Sequence, residues 1–324
     1  MRDPLRVAVV GASGIGQHHA HWYHLSGCEV VAFAGTSNAS CLRTAERLRG
    51  YFGFDGRAYT DVSRMLAEEQ PDILDVSSPF FLHREHAIAG LEAGTHVVCE
   101  KPLCWDVNKD LDTIYADGEA VVAAADQANR LLAVSAQYPA VIPVYRGFYE
   151  RVRGAMGPVE TLVMEMESKG RSGSKSREEV WIDLATHPLS LVIGFLPGGK
   201  IDYETARCVV GEWETRVTFD YVTAAGRCAV EIMLGEAMDG PSKRRFGVNG
   251  FMVDWAGHPD EQGIYRALLK HGSDEVRCND FMHILIEAFA EKVRGNGGEV
   301  IVSGADGLLN LAYQVELLRR AERV

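Results

Sequence analysis

The stretch Leu5-Arg6-Val7-Ala8-Val9-Val10-Gly11-Ala12-Ser13-Gly14-Ile15-Gly16 decides the fold. Residues 5–10 are a short apolar run, typical of a buried strand, and residues 11–16 form a glycine-rich turn. The turn reads GxxGxG, so Ser13 replaces the second glycine of the usual GxGxxG pattern. Such a turn lets the backbone approach a phosphate and points helix amides at it. We predict a pyrophosphate-binding loop; the alternative is a plain turn.

Strands and helices alternate through the first third of the chain. Further short apolar strands are expected at residues 29–34, 57–61, 72–79, 95–99 and 131–135, with helical segments between them. This pattern predicts an α/β fold with a Rossmann-type, doubly wound parallel sheet over residues 1–136.

The period of the apolar residues changes to two beyond residue 199, as in one-sided antiparallel strands. Asn249-Gly250 between two such strands is a hairpin signal. We predict that residues 137–324 form an α+β domain with a large, mainly antiparallel open sheet.

Composition narrows the class of protein. The 324 residues are 47% hydrophobic and 24% charged, and the formal net charge of −12 argues against nucleic acid or an anionic membrane as a partner. No apolar run approaches the roughly 20 residues that span a bilayer, and the first residues lack a signal-peptide core. The seven cysteines are scattered, so we expect reduced thiols and a cytoplasmic protein.

The end of the second strand bears on the type of dinucleotide. An NAD site would place Asp or Glu there, but the chain reads Gly35-Thr36-Ser37-Asn38, with Arg43 and Arg47 beyond. Hydroxyl residues remove repulsion of a 2′-phosphate, and arginines attract it. NADP(H) is favoured and NAD(H) is possible; alternatively, the arginines only solvate the helix.

A charged pair follows the predicted strand at residues 95–99. The chain reads Thr95-His96-Val97-Val98-Cys99-Glu100-Lys101-Pro102, so Glu100 and Lys101 stand at a carboxyl strand end, where ligands of parallel sheets bind. We predict that both face a ligand; the alternative is a surface pair in a turn.

Histidines are concentrated in the first helix, at positions 18, 19, 21 and 24. Positions three and four apart share a helix face, which would suit a metal ion. No Cys or acidic residue accompanies them locally, so we favour packing and surface roles and predict no metal.

Asp183 and His187 are four residues apart, which places both on one face of a helix. A carboxylate that orients an imidazole makes an acid–base pair near neutral pH. The equal alternative is an Asp cap and an incidental core histidine, since Pro188 can start a helix. Residues 168–179, rich in Gly, Ser, Lys and Arg, are expected to form a loop.

The glycine loop, Ser78-Pro79 before His83, Ala93-Gly94-Thr95-His96-Val97 and above all Glu100-Lys101-Pro102 resemble the Gfo/Idh/MocA oxidoreductases along the whole chain. The resemblance implies that Lys101 lies beside the nicotinamide and the substrate hydroxyl, and that His187 is the catalytic acid/base. Residues 37–39 also resemble an NADP-binding loop of the family. Gln137-Tyr138 stands where the family often has Arg-Phe, and Ser190 where it often has an acid.

We therefore predict an NAD(P)-dependent oxidoreductase acting on a secondary alcohol or ketone of a sugar, sugar derivative or cyclitol. The alternatives are a non-catalytic dinucleotide-responsive regulator, a reductase, and an eliminating enzyme that oxidises a sugar transiently. A homodimer or homotetramer is expected, because the family dimerises through its sheet. Substrate contacts from Tyr138, Lys169, Arg171, Ser190 and Trp255 stay open. The predicted catalytic residues are Lys101, Asp183 and His187. The predicted cofactor-binding residues are Gly11, Ala12, Ser13, Gly14, Ile15, Gly16, Thr36, Ser37, Asn38, Arg43, Ser78, Pro79, His83, Glu100 and Lys101.

Overall fold

The computed structural model describes residues 4–169, 177–211, 214–237 and 241–324. The chain folds into two units, Met1–Ala136 with Met282–Leu311, and Gln137–Phe281 with Ala312–Val324. We predicted that residues 137–324 form the second domain. In the structure, residues 282–311 pack with the first unit instead. Two features hold them there: Val134 N donates to Val302 O (3.0 Å), and Leu308 and Leu311 lie against Gly118.

The first unit is built on a six-stranded parallel sheet. Its strands run in the order β3-β2-β1-β4-β5-β6, which confirms the predicted doubly wound sheet. β1 and β4 are buried along almost their whole length, as expected of strands covered on both faces. The strands are β1 Arg6–Val10, β2 Glu29–Ala34, β3 Arg57–Tyr59, β4 Ile73–Val76, β5 His96–Cys99 and β6 Leu132–Val134.

Two helices of this unit, Asn38–Phe52 (α2) and Leu111–Ala128 (α5), begin and end at capping residues. Ser37 caps α2 through a reciprocal pair of bonds with Ser40, and Asp110 caps α5 by accepting from Thr113 N. Gly53 and Asn129 end the same two helices in the left-handed conformation. The helices are α1 Gly16–Leu25, α2 Asn38–Phe52, α3 Val62–Glu69, α4 His83–Glu92 and α5 Leu111–Ala128.

The second unit is built on a nine-stranded mixed sheet in the order β14-β13-β12-β11-β7-β10-β9-β8-β15. Only the β7–β10 and β8–β15 pairs are parallel among the described strands, so the mainly antiparallel sheet is confirmed. The strands are β7 Thr161–Lys169, β8 Lys200–Val210, β9 Glu214–Thr223, β10 Gly226–Ala237, β11 Arg244–Val248, β12 Phe251–Pro259, β13 Tyr265–His271, β14 Asp274–Asn279 and β15 Glu322–Arg323.

The predicted hairpin lies between β11 and β12. Asn249 and Gly250 both have positive φ, 51° and 74°, as a two-residue hairpin turn requires. The buried hydroxyl of Tyr145 donates to Phe251 O (2.6 Å) and accepts from Val248 N (2.9 Å), which ties a helix to this hairpin. The remaining helices are α6 Ile142–Arg153, α7 Arg177–Leu184, α8 Thr186–Phe195, α9 Phe281–Arg294 and α10 Gly304–Arg319.

Residues 168, 169 and 177–179 of the predicted 168–179 loop lie in regular elements instead. Ser168 and Lys169 extend β7 by pairing with β10, and α7 already begins at residue 177. Residues 170–176, including Arg171, lie outside the described residues. All seven cysteines are free thiols. No helix in the described part of the chain is long and apolar enough to cross a membrane.

Candidate active site

The glycine turn is packed against the end of β4. Gly11 has φ +91°, and a Cβ there would lie 2.5 Å from Ser77 O. A Cβ on Gly16 would lie 2.7 Å from Gly11 O and 2.9 Å from Ser77 Cβ. Close contacts with neighbouring atoms therefore require glycine at two of the three positions, Gly11 and Gly16.

The third glycine faces open space. A Cβ on Gly14 would meet nothing within 4 Å among the described residues, and no side chain caps α1, which is described throughout. The amides of Gln17 and His18 donate to Gly14 O (3.3 Å) and Ile15 O (2.9 Å), within the turn itself. Open space beside a helix N-terminus that no side chain covers suits an anionic group. The turn thus fits a pyrophosphate, with Ala12 buried beneath it and Ser13 and Ile15 exposed.

The end of β2 carries the residues predicted to select the dinucleotide. Thr36, Ser37, Asn38 and Arg43 are all exposed here, beside the N-terminus of α2. The Ser37 hydroxyl accepts from Ser40 N (3.2 Å) in the capping box. The chain has no carboxylate between residues 35 and 40, so nothing in this segment repels a phosphate.

Arg47 was not among the predicted site residues, although its charge was noted. It lies on α2, and its Nη1 donates to Ser13 O (3.0 Å), which fastens the glycine turn to this helix. The sequence signal was its spacing: Arg43 and Arg47 are four apart and share a helix face.

Ser78, Pro79 and His83 follow β4. The two ring nitrogens of His83 lie 2.8 Å from Ser78 O and 2.9 Å from Pro102 O, and the side chain is fully buried. Burial lowers the pKa of His83, although both carbonyls oppose this effect. His83 therefore holds the turn after β5 against the turn after β4, and its predicted contact with a cofactor stays a prediction.

Glu100 and Lys101 follow β5, as expected. Glu100 N donates to Val76 O (2.8 Å), and Lys101 N donates to Oε2 of Glu100 (3.1 Å), so the carboxylate closes its own turn. The Lys101–Pro102 peptide is cis. Lys101 is half-buried at the carboxyl end of the sheet, where ligands of this sheet type bind.

The four histidines of α1 have different environments. His18 and His21 are half-buried against Tyr51, whereas His19 is fully buried. Within the described ranges, no group of three or more His, Cys, Asp or Glu side chains is placed to hold a metal ion.

Asp183 and His187 lie in the second unit, on successive helices. Asp183 is in α7 and His187 in α8, since the helix is interrupted at Ala185. The interruption has a local cause, because Pro188 has no N–H to bond to the carbonyl of Leu184. Of the two alternatives, the helix start near Pro188 is the one observed, although Ala185 keeps helical dihedrals (φ −62°, ψ −28°).

His187 is buried beside aromatic side chains. Its ring centroid is 5.2 Å from that of Tyr138, which also packs on Trp255. Burial raises the pKa of Tyr138, so its phenol stays protonated. The Ser190 hydroxyl donates to His187 O (2.7 Å), and Lys169 is exposed at the end of β7. Tyr138 and Trp255 are thus core residues of this unit.

Comparison with known proteins gives the family. Residues 5–136 match the model of the Gfo/Idh/MocA oxidoreductase family, described as having an NAD-binding Rossmann fold. Over these residues the chain is similar to that family. The predicted resemblance is confirmed for the domain that contains the glycine turn, Glu100 and Lys101.

Curated relatives of the Gfo/Idh/MocA domain align over a limited length. A D-glucoside 3-dehydrogenase from Escherichia coli is 37% identical over 102 residues, which are 31% of this chain and 28% of that protein. A D-apiose dehydrogenase from Paraburkholderia graminis is 31% identical over 157 residues, 46% of this chain and 37% of that protein. The match thus spans about a third of the length of these relatives.

Solved structures match along the whole chain. A UDP-N-acetylglucosamine 3-dehydrogenase from Acidithiobacillus ferrooxidans has a TM-score of 0.72 at 18% identity, covering 98% of each chain. A levoglucosan dehydrogenase, solved with NADH and levoglucosan, has a TM-score of 0.73 at 17% identity, covering 98% of this chain and 97% of that one. These similarities establish the fold alone, which this chain shares with both dehydrogenase structures.

Proposed function

We propose that this protein is an NAD(P)-dependent oxidoreductase. It transfers a hydride between a nicotinamide dinucleotide and a secondary alcohol or ketone of a sugar, sugar derivative or cyclitol. The observation that carries the proposal is the glycine turn, where the open space at Gly14 and a helix N-terminus without a side-chain cap suit a pyrophosphate. The family of residues 5–136 and the names of the curated relatives support it.

The proposal gives Lys101, Asp183 and His187 the catalytic roles. In the oxidation direction, His187 accepts the proton of the substrate hydroxyl, and Asp183 orients the imidazole. The Lys101 ammonium stabilises the negative charge that develops on the substrate oxygen. When bound, the dinucleotide supplies the hydride acceptor. In reduction, His187 returns the proton.

Replacing Lys101 tests the catalytic assignment. Lys101→Met removes the charge but keeps a side chain of similar length. Turnover should therefore fall by at least about 10²-fold, while dinucleotide affinity stays near that of the wild type. The assay is nicotinamide absorbance over a sugar and polyol panel. Lys109→Met is the matched control, because Lys109 pairs with the half-buried Asp117 near the surface (2.6 Å) and its loss should leave turnover unchanged. Near-normal turnover of Lys101→Met would contradict the assignment.

We propose NADP(H) as the preferred dinucleotide, bound by Thr36, Ser37, Asn38 and Arg43. Ser37→Asp tests this preference without removing the helix cap, because Asp caps helices as well as Ser does. The carboxylate should weaken NADPH binding about tenfold, or ~1.4 kcal/mol, and leave NADH binding unchanged or stronger. Fluorescence titration of both dinucleotides measures this. Tighter binding of NADH than of NADPH by the wild type would refute the preference.

We also propose a homo-oligomer, a dimer or a tetramer, located in the cytoplasm. The free cysteines support a reducing compartment. The nine-stranded sheet supports self-association, since it carries an open depression whose lining combines small side chains such as Thr161 and Ala229 with Phe219, Asp220 and Glu231. Light scattering of the purified chain measures the oligomeric state, and a monomer at micromolar concentration would refute that part.

A further inference from the structure

His19 is the only fully buried histidine of α1, and it lies between two carboxylates. Its Nδ1 is 2.9 Å from Oδ2 of Asp75 at the end of β4. Its Nε2 is 3.3 Å from Oε1 of Glu100, an ion pair when the imidazole is protonated. One side chain of α1 therefore joins the ends of β4 and β5.

Each of the two carboxylates also accepts a hydrogen bond from a group other than His19. Oδ1 of Asp75 accepts from the Ser77 hydroxyl (2.6 Å), and Oε2 of Glu100 accepts from Lys101 N (3.1 Å). Glu100 thus holds His19 with one oxygen and the backbone of Lys101 with the other. The path from His19 to Lys101 passes through a single side chain.

The charges of the cluster favour the protonated form of the His19 imidazole. Burial lowers the pKa of His19, but the charges and hydrogen bonds of Asp75 and Glu100 raise it to about 10. Burial raises the pKa of Glu100, but His19 and Lys101 bring it below its usual value. The other titratable groups near the cluster are His18, Tyr23, His83, Cys99 and Lys101.

A buried ion pair adds little stability over an apolar replacement, because the cost of desolvation offsets the attraction. What it does provide is a defined geometry for the groups that it joins. Here those groups are the turn after β4, against which Gly11 and Gly16 pack, and the turn that carries Lys101.

We propose that His19 is a positioning residue: as a buried cation between Asp75 and Glu100, it fixes the Glu100 carboxylate and thereby the placement of Lys101. This inference rests on the proposed oxidoreductase function for its catalytic consequence, because Lys101 is a catalytic residue only in that proposal. The link between His19, Glu100 and the Lys101 backbone is testable without turnover.

The test uses His19→Gln in the full chain, with His18→Gln as the matched control. His18 is the neighbouring half-buried histidine, whose Nδ1 contacts the Tyr51 hydroxyl (3.3 Å) and which has no part in the cluster. The first readout is the amide signal of Lys101 in 15N-labelled protein, followed from pH 5 to pH 8. This amide is bonded to Glu100, so its shift reports whether that carboxylate is ionised.

In the wild type and in His18→Gln, the Lys101 amide signal should not titrate over this range. In His19→Gln, Glu100 stays buried without its cation, so the signal should titrate with a midpoint at least one pH unit higher than in the wild type. A Lys101 signal that is indifferent to His19→Gln would overturn the proposal. If the variant does not fold, Glu100→Gln tests the bond between Glu100 and the Lys101 amide. This amide signal should move upfield of the wild-type position, and an unchanged amide would overturn the proposal.

The second readout is turnover on the sugar and polyol panel. His19→Gln should lower kcat about 10²-fold, as expected for a misplaced catalytic group, with KM and NADPH affinity changed far less. The acid limb of its pH profile should also move upward, and His18→Gln should match the wild type. An equal loss in both variants would overturn the positioning role. No turnover by the wild type, with the amide titration as described, would refute the proposed function and leave the link intact.

Discussion

In the glycine turn, substitution of one glycine is predicted to lower stability, and substitution of another is predicted to lower dinucleotide affinity. Replacing Gly16 by Ala places a Cβ 2.7 Å from Gly11 O and 2.9 Å from Ser77 Cβ. Favourable contacts between carbon atoms begin at about 3.5 Å, so the overlap with these atoms is roughly 0.6 Å or more. One contact is backbone and the other is the first atom of a side chain, so neither can rotate away.

The cost follows from this overlap. Overpacking of this kind destabilises by roughly 1–3 kcal/mol. In a domain of about 150–250 residues each kcal/mol lowers the melting temperature by roughly 2–4 °C, so Gly16→Ala should lower it by about 2–12 °C.

Gly14→Ala is the contrasting change in the same turn. Its Cβ would meet nothing within 4 Å in the described part of the chain, so stability should change by less than about 0.5 kcal/mol. The methyl group would instead enter the space proposed for the pyrophosphate, so dinucleotide affinity should fall. Gly50→Ala, at an equally open position in α2, should leave dinucleotide affinity near the wild-type value and raise stability by roughly 0.5–1 kcal/mol, because Ala is the better helix former.

The assays are thermal unfolding without ligand and fluorescence titration with NADPH and NADH. Equal melting temperatures for Gly14→Ala and Gly16→Ala would refute the packing argument. Unchanged affinity in Gly14→Ala, with the melting temperature also unchanged, would refute the placement of the pyrophosphate.

Two further predictions concern stability. The pKa of His19 is raised from 6.5 to about 10, so its stabilising contribution is complete below pH 6.5 and is lost as the pH rises to 10, on the order of 5 kcal/mol over that span. The melting-temperature gap between wild type and His19→Gln should therefore narrow from pH 6.5 to pH 10, and a constant gap would contradict the charged state of His19. Tyr145→Phe leaves Phe251 O and Val248 N without the bridging hydroxyl, which should cost about 1–3 kcal/mol in denaturant unfolding. Tyr149→Phe, on the same helix, is its control, and equal losses in both variants would argue against the bridge.

Much of the fold could be predicted because its signals are local. The apolar run before Gly11, the strand before Glu100 and the Asn249-Gly250 turn are each specified by a few consecutive residues. Strands β13 and β14 were not predicted. Their residues include Arg266, Lys270 and Arg277, so alternation along them is weak, and pairing within the sheet decides their conformation.

The sequence by itself determined the two types of sheet, the glycine turn and the position of Lys101 at a strand end, because each depends on residue type and short-range period. Only the tertiary structure decided the partners of side chains far apart in the chain. His19 meets Asp75 and Glu100 because β1, β4 and β5 are neighbours in the sheet, and Arg47 reaches Ser13 because α2 lies beside the turn. Strand order brings these residues together, and no local pattern encodes it.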